Sequence, residues 1–335
     1  MKRKLFLSVL GCCSALLCVV YQRDIILREG SSYNSGGLMR LFADRNQSSA
    51  NHTDLVANNS PWEDGWQPWF REQEKRKNAV RSACDSLGLP KQELLDLLML
   101  SQDERFSHLL VDDSRKAIYC YIPKVACTNW KRVWMYLTNL TTKRNLSAIP
   151  LLTPHEYGYK MQLVKKTGES PLELKLKTYT KLIAVRHPFH RLASAYRDKI
   201  VPEGDAYFQK KVLPFVAKQR PGAQLGDIQW PEFVDYLTLG KGKKSDSHWN
   251  SYMFLCHPCA LEYDVIAKME TLQEDSERFL RLIGAQVELH FPNVTRTSRR
   301  IDNILWKKYE EQLRPDQLVA LRKVYARDFK LFEYD

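Results

Sequence analysis

Two short stretches carry the residue types that hold an anion such as phosphate. In the first, an apolar run with strand character, Ala117 to Ile122, feeds the loop Pro123-Lys124-Val125-Ala126-Cys127-Thr128-Asn129, and a helical pattern runs from Thr128 to about Leu137. A strand that delivers the chain to a helix N-terminus presents free backbone N–H groups and a positive dipole end, which is the physical plan of a phosphate loop. Lys124 adds a mobile point charge, and Thr128 can cap the helix while offering its hydroxyl. The nucleoside-triphosphatase loop is excluded, because its glycines and its Gly-Lys-Ser/Thr ending are missing. In the second stretch, the strand Thr178 to Val185 runs into Arg186-His187-Pro188-Phe189-His190-Arg191-Leu192-Ala193-Ser194. Pro188 biases His187 away from helical angles, and a helix from Phe189 onward puts Leu192, Ala195 and Tyr196 on one face. Arg186 then stands at a strand end and Ser194 about two turns into the helix.

Both units require a sheet to hold them. Phe106 to Val111 and Ala117 to Ile122 read as paired strands with Asp112-Asp113-Ser114-Arg115 as the turn, and Tyr263 to Met269 as a further strand. Helical patterns cover Glu72 to Leu87, Lys91 to Ser101, 207–219, 230–239, Leu272 to Ile283, Trp306 to Leu313 and Pro315 to Asp328. Thr138 to Pro171 is a polar, irregular surface excursion, and Gly240 to Asp246 is a basic glycine loop. No internal repeat is evident. Strands alternating with helices predict an α/β fold with a mainly parallel central sheet flanked by helices. Ligands in such sheets bind beyond the carboxyl ends of the strands, where both anion loops fall.

The chain has 335 residues and a net charge of +12, from 51 basic and 39 acidic residues. Setting aside Lys2, Arg3 and Lys4 leaves a surplus of +9, which favours a polyanionic partner. Residues 1–4 read as a short cytoplasmic tail and 5–21 as a membrane signal-anchor, since an apolar run follows the basic start and no small-x-small cleavage site follows the run. Residues 22–75, rich in Ser, Asn, Gly and charge, read as a stem on which Trp62, Trp66 and Trp69 are the only apolar concentration, and 76–335 as the folded domain. Asn46, Asn51, Asn58, Asn139, Asn145 and Asn293 head glycosylation sequons, which together with the anchor place the domain in a secretory lumen and make nucleic acid an improbable partner. Beyond the anchor, Cys84, Cys120, Cys127, Cys256 and Cys259 face an oxidising compartment. An odd number leaves at least one without an intrachain partner. Cys256-His257-Pro258-Cys259 lacks the second pair that a zinc site needs, so a structural disulfide of undetermined pairing is expected there.

The two units together resemble the donor-binding motifs of the Golgi carbohydrate sulfotransferases. Ile122-Pro123-Lys124-Val125-Ala126-Cys127-Thr128-Asn129-Trp130-Lys131-Arg132 is similar to their 5′-phosphosulfate loop. Val185-Arg186-x-Pro188-Phe189-x-Arg191-Leu192-x-Ser194-Ala195-Tyr196-Arg197 is similar to their 3′-phosphate motif. His248-Trp249, Leu255-Cys256-His257-Pro258-Cys259, Tyr263-Asp264 and Lys268-x-Glu270-Thr271-Leu272 resemble the branch that sulfates O-4 of N-acetylgalactosamine, with the chondroitin 4-O-sulfotransferases nearest. The resemblance runs from about Val80 to Tyr334. It implies a sulfotransferase fold, a Golgi type II membrane topology, and 3′-phosphoadenylyl sulfate as donor without a metal. It also implies that residues 123–129 hold the 5′-phosphosulfate, that residues 186–194, above all Arg186 and Ser194, hold the 3′-phosphate, and that Lys124 meets charge on the leaving oxygen. Arginine's planar fork suits phosphate oxygens, and sulfuryl transfer depends on in-line positioning and charge stabilisation.

A base must take the proton of the sugar hydroxyl. His248 is the candidate, because histidine titrates near working pH and Trp249 beside it offers a sugar-stacking face. His155 and Glu156 are weaker alternatives, and Arg296, Arg299 and Arg300 form a basic cluster for acidic glycan or donor. His187 departs from the family, which usually has Asp or Glu there, and Ala267 stands where it usually has glycine. The expected acceptor is chondroitin. Dermatan or terminal N-acetylgalactosamine on glycoproteins is an alternative with the same donor, and a glycan-binding pseudoenzyme is the alternative from another class.

Overall fold

The computed structural model describes residues 63–335, apart from 90, 92, 94, 96–105, 162–171, 241, 243–245, 286–288 and 294–296. The expected tail, anchor and most of the stem lie outside the described residues, as do Asn46, Asn51, Asn58 and most of the helix expected from Lys91. Among the described residues no helix is long and apolar enough to cross a membrane.

In chain order the elements are α1 (Glu63–Ser86), β1 (Leu109–Asp112), β2 (Ala117–Cys120), α2 (Cys127–Leu137), the short helices α3 (Thr153–Glu156) and α4 (Gly158–Met161), α5 (Leu172–Thr178), β3 (Thr180–Val185), α6 (Pro188–Lys199), α7 (Ala206–Gln219), α8 (Trp230–Thr238), α9 (Tyr252–Cys256), β4 (Val265–Lys268), α10 (Leu272–Leu282), α11 (Thr297–Glu310) and α12 (Pro315–Phe332). The strands lie in the order β1-β2-β3-β4. The β1–β2 hairpin is antiparallel, while β2–β3 and β3–β4 are parallel. The mainly parallel sheet is therefore present, and its strands are buried almost throughout, as strands covered on both faces must be. Alternation of side chains sends Tyr119 to one face, against Trp130 and Trp134 of α2, and these in turn meet Phe279 of α10. Cys120 points to the other face and is joined to Cys256 at the end of α9. A second apolar cluster, built on Phe189, Trp230, Phe233, Trp249 and Tyr325, unites α6, α8 and α12.

The second disulfide joins Cys84 of α1 to Cys259. Both bridges close long loops, with separations of 136 and 175 residues, and such cross-links stabilise by about 2–5 kcal/mol each. The half-site reading of Cys256 and Cys259 is settled against zinc, because each sulfur is engaged in a different disulfide. Among the described residues Cys127 is the free thiol.

The folded body reaches further back than the expected boundary at residue 76. Trp69 is buried, and its indole N–H donates to Asp275 at 2.8 Å. Gln73 and Arg76 join them on Asp275, and the same two side chains serve the outer edge of β4: Gln73 accepts from the Ile266 N–H and Arg76 donates to the Ile266 carbonyl. An exposed strand edge is an aggregation liability, and α1 covers this one with side-chain hydrogen bonds. What reads as stem up to residue 75 is, from Glu63 on, a structural helix of the domain.

Candidate active site

Parallel pairing of Cys120 with Ile183 sets the carboxyl ends of β2 and β3 side by side. The chain leaving β2 and the chain leaving β3 therefore emerge together. Lys124 and Ala126 both have left-handed backbone angles, φ 71° and 51°, which curl the loop tightly between β2 and α2. α2 begins at Cys127, with Ala126 in the N-cap position and no side-chain cap. Trp130 N–H is the first bonded back into the helix, to the Ala126 carbonyl at 3.1 Å. The N–H groups of Cys127, Thr128 and Asn129 are thus those a helix start leaves to a ligand. This corrects the expectation that Thr128 caps α2: it lies inside the first turn, and its hydroxyl meets His155 Nε2 at 3.0 Å.

Arg186 is locked onto this loop. Its Nη1 donates to the Lys124 carbonyl at 3.0 Å, and its own peptide is clamped by the Tyr252 hydroxyl, which accepts from Arg186 N–H and donates to the Arg186 carbonyl. Ser194 is half-buried on α6, two turns beyond His187. Pro188 opens α6, and Phe189, Leu192 and Ala193 are buried packing residues of that helix, so their place in the motif is to fix α6 rather than to touch an anion. Pro123 and Val125 are likewise buried in the loop, while Ala126, Cys127 and Asn129 are half-buried.

His187 takes over what an acidic residue would do at the helix start. Its Nδ1 accepts from Phe189 N–H at 3.3 Å, and its Nε2–H donates to the Asp335 carbonyl at 3.1 Å. Burial holds its pKa below the ordinary histidine value, with the Asp335 carbonyl opposing. The neutral ring is the form that can accept the cap hydrogen bond. His190, stacked on it with centroids 4.3 Å apart, is pushed down to about 4 by burial and by its basic neighbours.

Arg191 has a different position from the one expected of a phosphate ligand. It is 1 % exposed and its guanidinium is bound to backbone: Nε donates to the Pro123 carbonyl at 3.0 Å, Nη1 to Asn250 at 2.6 Å and Nη2 to Ser247 at 2.7 Å. It ties the anion loop to the segment that carries His248. In that segment Asp246 accepts from both the His248 backbone N–H and its Nδ1–H, the latter at 2.7 Å. Burial resists ionisation of Asp246, but His248 and Lys211 together bring its pKa down to about 2. Burial lowers the pKa of His248, against the pull of Asp246. An Asp–His pair of this kind fixes the tautomer and turns Nε2 outward with its lone pair, the arrangement of a general base.

Trp249 cannot serve as a sugar-stacking face. It is 1 % exposed, its indole N–H donates to the Gly242 carbonyl, and it packs against Phe233. A loop has no hydrophobic period from which that inward orientation could be read. Lys124 pairs with Asp198 at 3.1 Å, and Lys199 holds the same carboxylate at 3.3 Å. Lys124 can therefore move to an incoming anion while Asp198 keeps a cation partner. His155, with its pKa pushed to about 4 by burial and by Lys131 and Lys199, is held neutral beside Thr128; Glu156 is exposed on the same short helix.

Arg296 lies outside the described residues; Arg299 and Arg300 fall on α11, whose side chains at those positions are not described. Asn139, Asn145 and Asn293 are exposed, as sequon positions should be. Asn145 and Asn293 line one surface cavity of about 400 Å³ together with Glu277 and His290, away from the anion loop. Among the described residues no group of His, Cys, Asp and Glu is placed to hold a metal.

An anion loop and a clamped arginine at adjacent strand ends of a parallel sheet define a phosphate- or sulfate-handling α/β enzyme. The family model that describes the sulfotransferase family matches residues 107–335, and the chain belongs to that family. It is 34% identical over 237 residues to carbohydrate sulfotransferase 11 of Rattus norvegicus, covering 68% of this chain and 67% of the relative. It is 32% identical over 296 residues to carbohydrate sulfotransferase 12 of Mus musculus, covering 79% and 68%. It is 31% identical over 283 residues to carbohydrate sulfotransferase 8 of the same organism, covering 80% and 65%. No solved structure matches the chain. The family implies 3′-phosphoadenylyl sulfate as donor. The loop fits such a group: the N–H groups left free at the start of α2 and Lys124 suit the anhydride end, and Arg186 beside them suits a second phosphate.

Proposed function

We propose that the chain transfers a sulfuryl group from 3′-phosphoadenylyl sulfate to O-4 of N-acetylgalactosamine in chondroitin. The observation that carries the reading is the Arg186 Nη1 to Lys124 carbonyl bond, which brings together two motifs far apart in sequence. The likeness to carbohydrate sulfotransferases supports a glycan acceptor, and the surplus of +9 charges outside the N-terminal cluster supports a polyanionic one. When bound, the donor supplies the activated sulfur. The N–H groups of Cys127, Thr128 and Asn129 and the hydroxyl of Thr128 orient its phosphosulfate, and Arg186 and Ser194 hold the 3′-phosphate. His248 Nε2 accepts the proton of the attacking hydroxyl as its oxygen bonds to sulfur. Lys124, released from Asp198, neutralises the bridging oxygen as the sulfur–oxygen bond to phosphate breaks and the nucleotide bisphosphate departs. Arg191 takes the role of strut in this reading, and a single N-terminal anchor holds the domain in the Golgi lumen. The two disulfides are in keeping with that compartment.

The test is to incubate the soluble domain with radiolabelled donor and desulfated chondroitin, dermatan or simple N-acetylgalactosaminides, followed by disaccharide analysis. Label at O-4 of chondroitin is expected. Label at O-6 would overturn the branch assignment, and no label in any acceptor would overturn the enzyme reading.

A further inference from the structure

Lysines are seldom buried, and a buried ammonium without a counter-charge is strongly disfavoured. Among the described residues Lys131, Lys175 and Lys181 are buried. Lys175 meets Asp113 at 2.7 Å, and Lys181 has the Tyr179 carbonyl at 3.1 Å and Asp264 at 3.7 Å. Lys131 differs. It is 6 % exposed, and its ammonium stands over the ring of Tyr121, 3.9 Å from the centroid. No ion pair or side-chain hydrogen bond to a described residue accompanies that contact. A cation over a ring recovers only part of what water would provide.

Its position is close to the chemistry. Lys131 stands one turn beyond Thr128 on α2, the helix whose first turn forms the anion loop. Gly158 at the start of α4 lies against it, so that a Cβ there would come within 3.5 Å of Nζ. The free Cys127 thiol and His155, itself bonded to Thr128, are in its electrostatic reach. The ammonium thus sits where α2 meets the excursion carrying α3 and α4, beside the first turn of the loop helix.

We propose that Lys131 is a substrate-binding residue, its ammonium receiving an oxyanion of a bound substrate that no described residue provides. The oxyanion is either a sulfate or phosphate oxygen of the donor or a carboxylate of an acidic acceptor glycan. Either one completes the pair that Lys175 and Lys181 have within the chain. Burial lowers the pKa of Lys131, and an incoming anion opposes that shift by favouring the charged form.

The inference rests on the sulfotransferase reading, and the experiment separates the two. Lys131→Met and Lys131→Gln are compared with the wild-type domain for kcat, for KM of donor and acceptor, for affinity toward adenosine 3′,5′-bisphosphate, and for unliganded Tm. The expected result is a rise of about tenfold or more in the KM of one substrate, the scale of one charge-assisted hydrogen bond. The unliganded Tm should hold or rise, because an uncompensated charge has gone. A rise for the donor marks the sulfate or phosphate arm. A rise for chondroitin that disappears with carboxyl-reduced chondroitin marks the carboxylate arm. Constants within twofold of wild type in both variants would overturn the inference, as would failure of both variants to fold, which would make Lys131 structural. Lack of transfer by the wild type would instead overturn the sulfotransferase reading.

Discussion

The proposed donor side and the proposed acceptor side of the site are built by different means. On the donor side the chain leaves buried parallel strands, and each loop is pinned by side chains from elsewhere: Arg186 on Lys124, Tyr252 on Arg186 and Arg191 on Pro123. The side proposed to receive the acceptor is made of the short helices α3 and α4 and the segment after Gly240, tied to their neighbours by Thr128 on His155, Lys211 on Asp246, Tyr325 on the Trp249 carbonyl and Arg191 on Ser247 and Asn250. Strand ends fix a ligand common to a whole family, whereas loops between them are free to vary with the acceptor. Arg191 touches both sides, as does the Thr128–His155 contact.

Substitutions should sort along that division. Lys124→Ala and Arg186→Ala should each reduce transfer by about 100-fold or more, the cost of losing a charge directed at a phosphate or developing oxyanion; initial rates with labelled donor check this. His248→Ala should lower kcat by about 100-fold while leaving affinity for adenosine 3′,5′-bisphosphate unchanged. A His248→Ala enzyme with full rate would remove the base and leave the donor side intact. Because burial holds the pKa of His248 below the ordinary value of 6.5, the wild-type kcat should be level at neutral pH and fall as pH drops through that lowered pKa, where Nε2 becomes protonated.

Arg191→Gln should affect both sides at once. A guanidinium that joins three carbonyls, those of buried Pro123 and Asn250 and half-buried Ser247, leaves them unpaired when it is removed, so stability should fall by about 3 kcal/mol, read as a lower denaturation midpoint. Donor KM should rise and kcat should fall together, unlike the selective loss expected for His248→Ala. The smallest effect is expected of His187→Asp. An aspartate can also accept the Phe189 N–H as a cap, so rates should stay within about threefold at pH 7, and the variant should keep its cap under acidic conditions where His187 protonates.

The same division governs how much could be read before the structure. Lys124 and Arg186 were legible because a strand, a turn and a helix start follow each other within a dozen residues, and local pattern carries that information. The parallel sheet followed from the alternation of strands and helices. Arg191 was misplaced among anion ligands because its partners are at 123, 247 and 250, and no local pattern reports them. Trp69 read as stem for the same reason, since the Asp275 it bonds lies 206 residues away. Thr128 was expected as a cap because its residue type suits one, but left-handed Ala126 starts the helix one residue earlier. Lys131 passed unremarked inside the motif, because burial without a partner is visible only in three dimensions.

The most direct test of the central claim, that residues 123–129 and Arg186 form one nucleotide site, is a calorimetric titration with adenosine 3′,5′-bisphosphate and with adenosine 5′-monophosphate. The wild-type domain should bind the bisphosphate far more tightly than the monophosphate. Arg186→Ala should abolish that preference, with a loss of about 100-fold for the bisphosphate and little change for the monophosphate. Equal binding of the bisphosphate by wild type and Arg186→Ala, or no binding by either, would contradict the account.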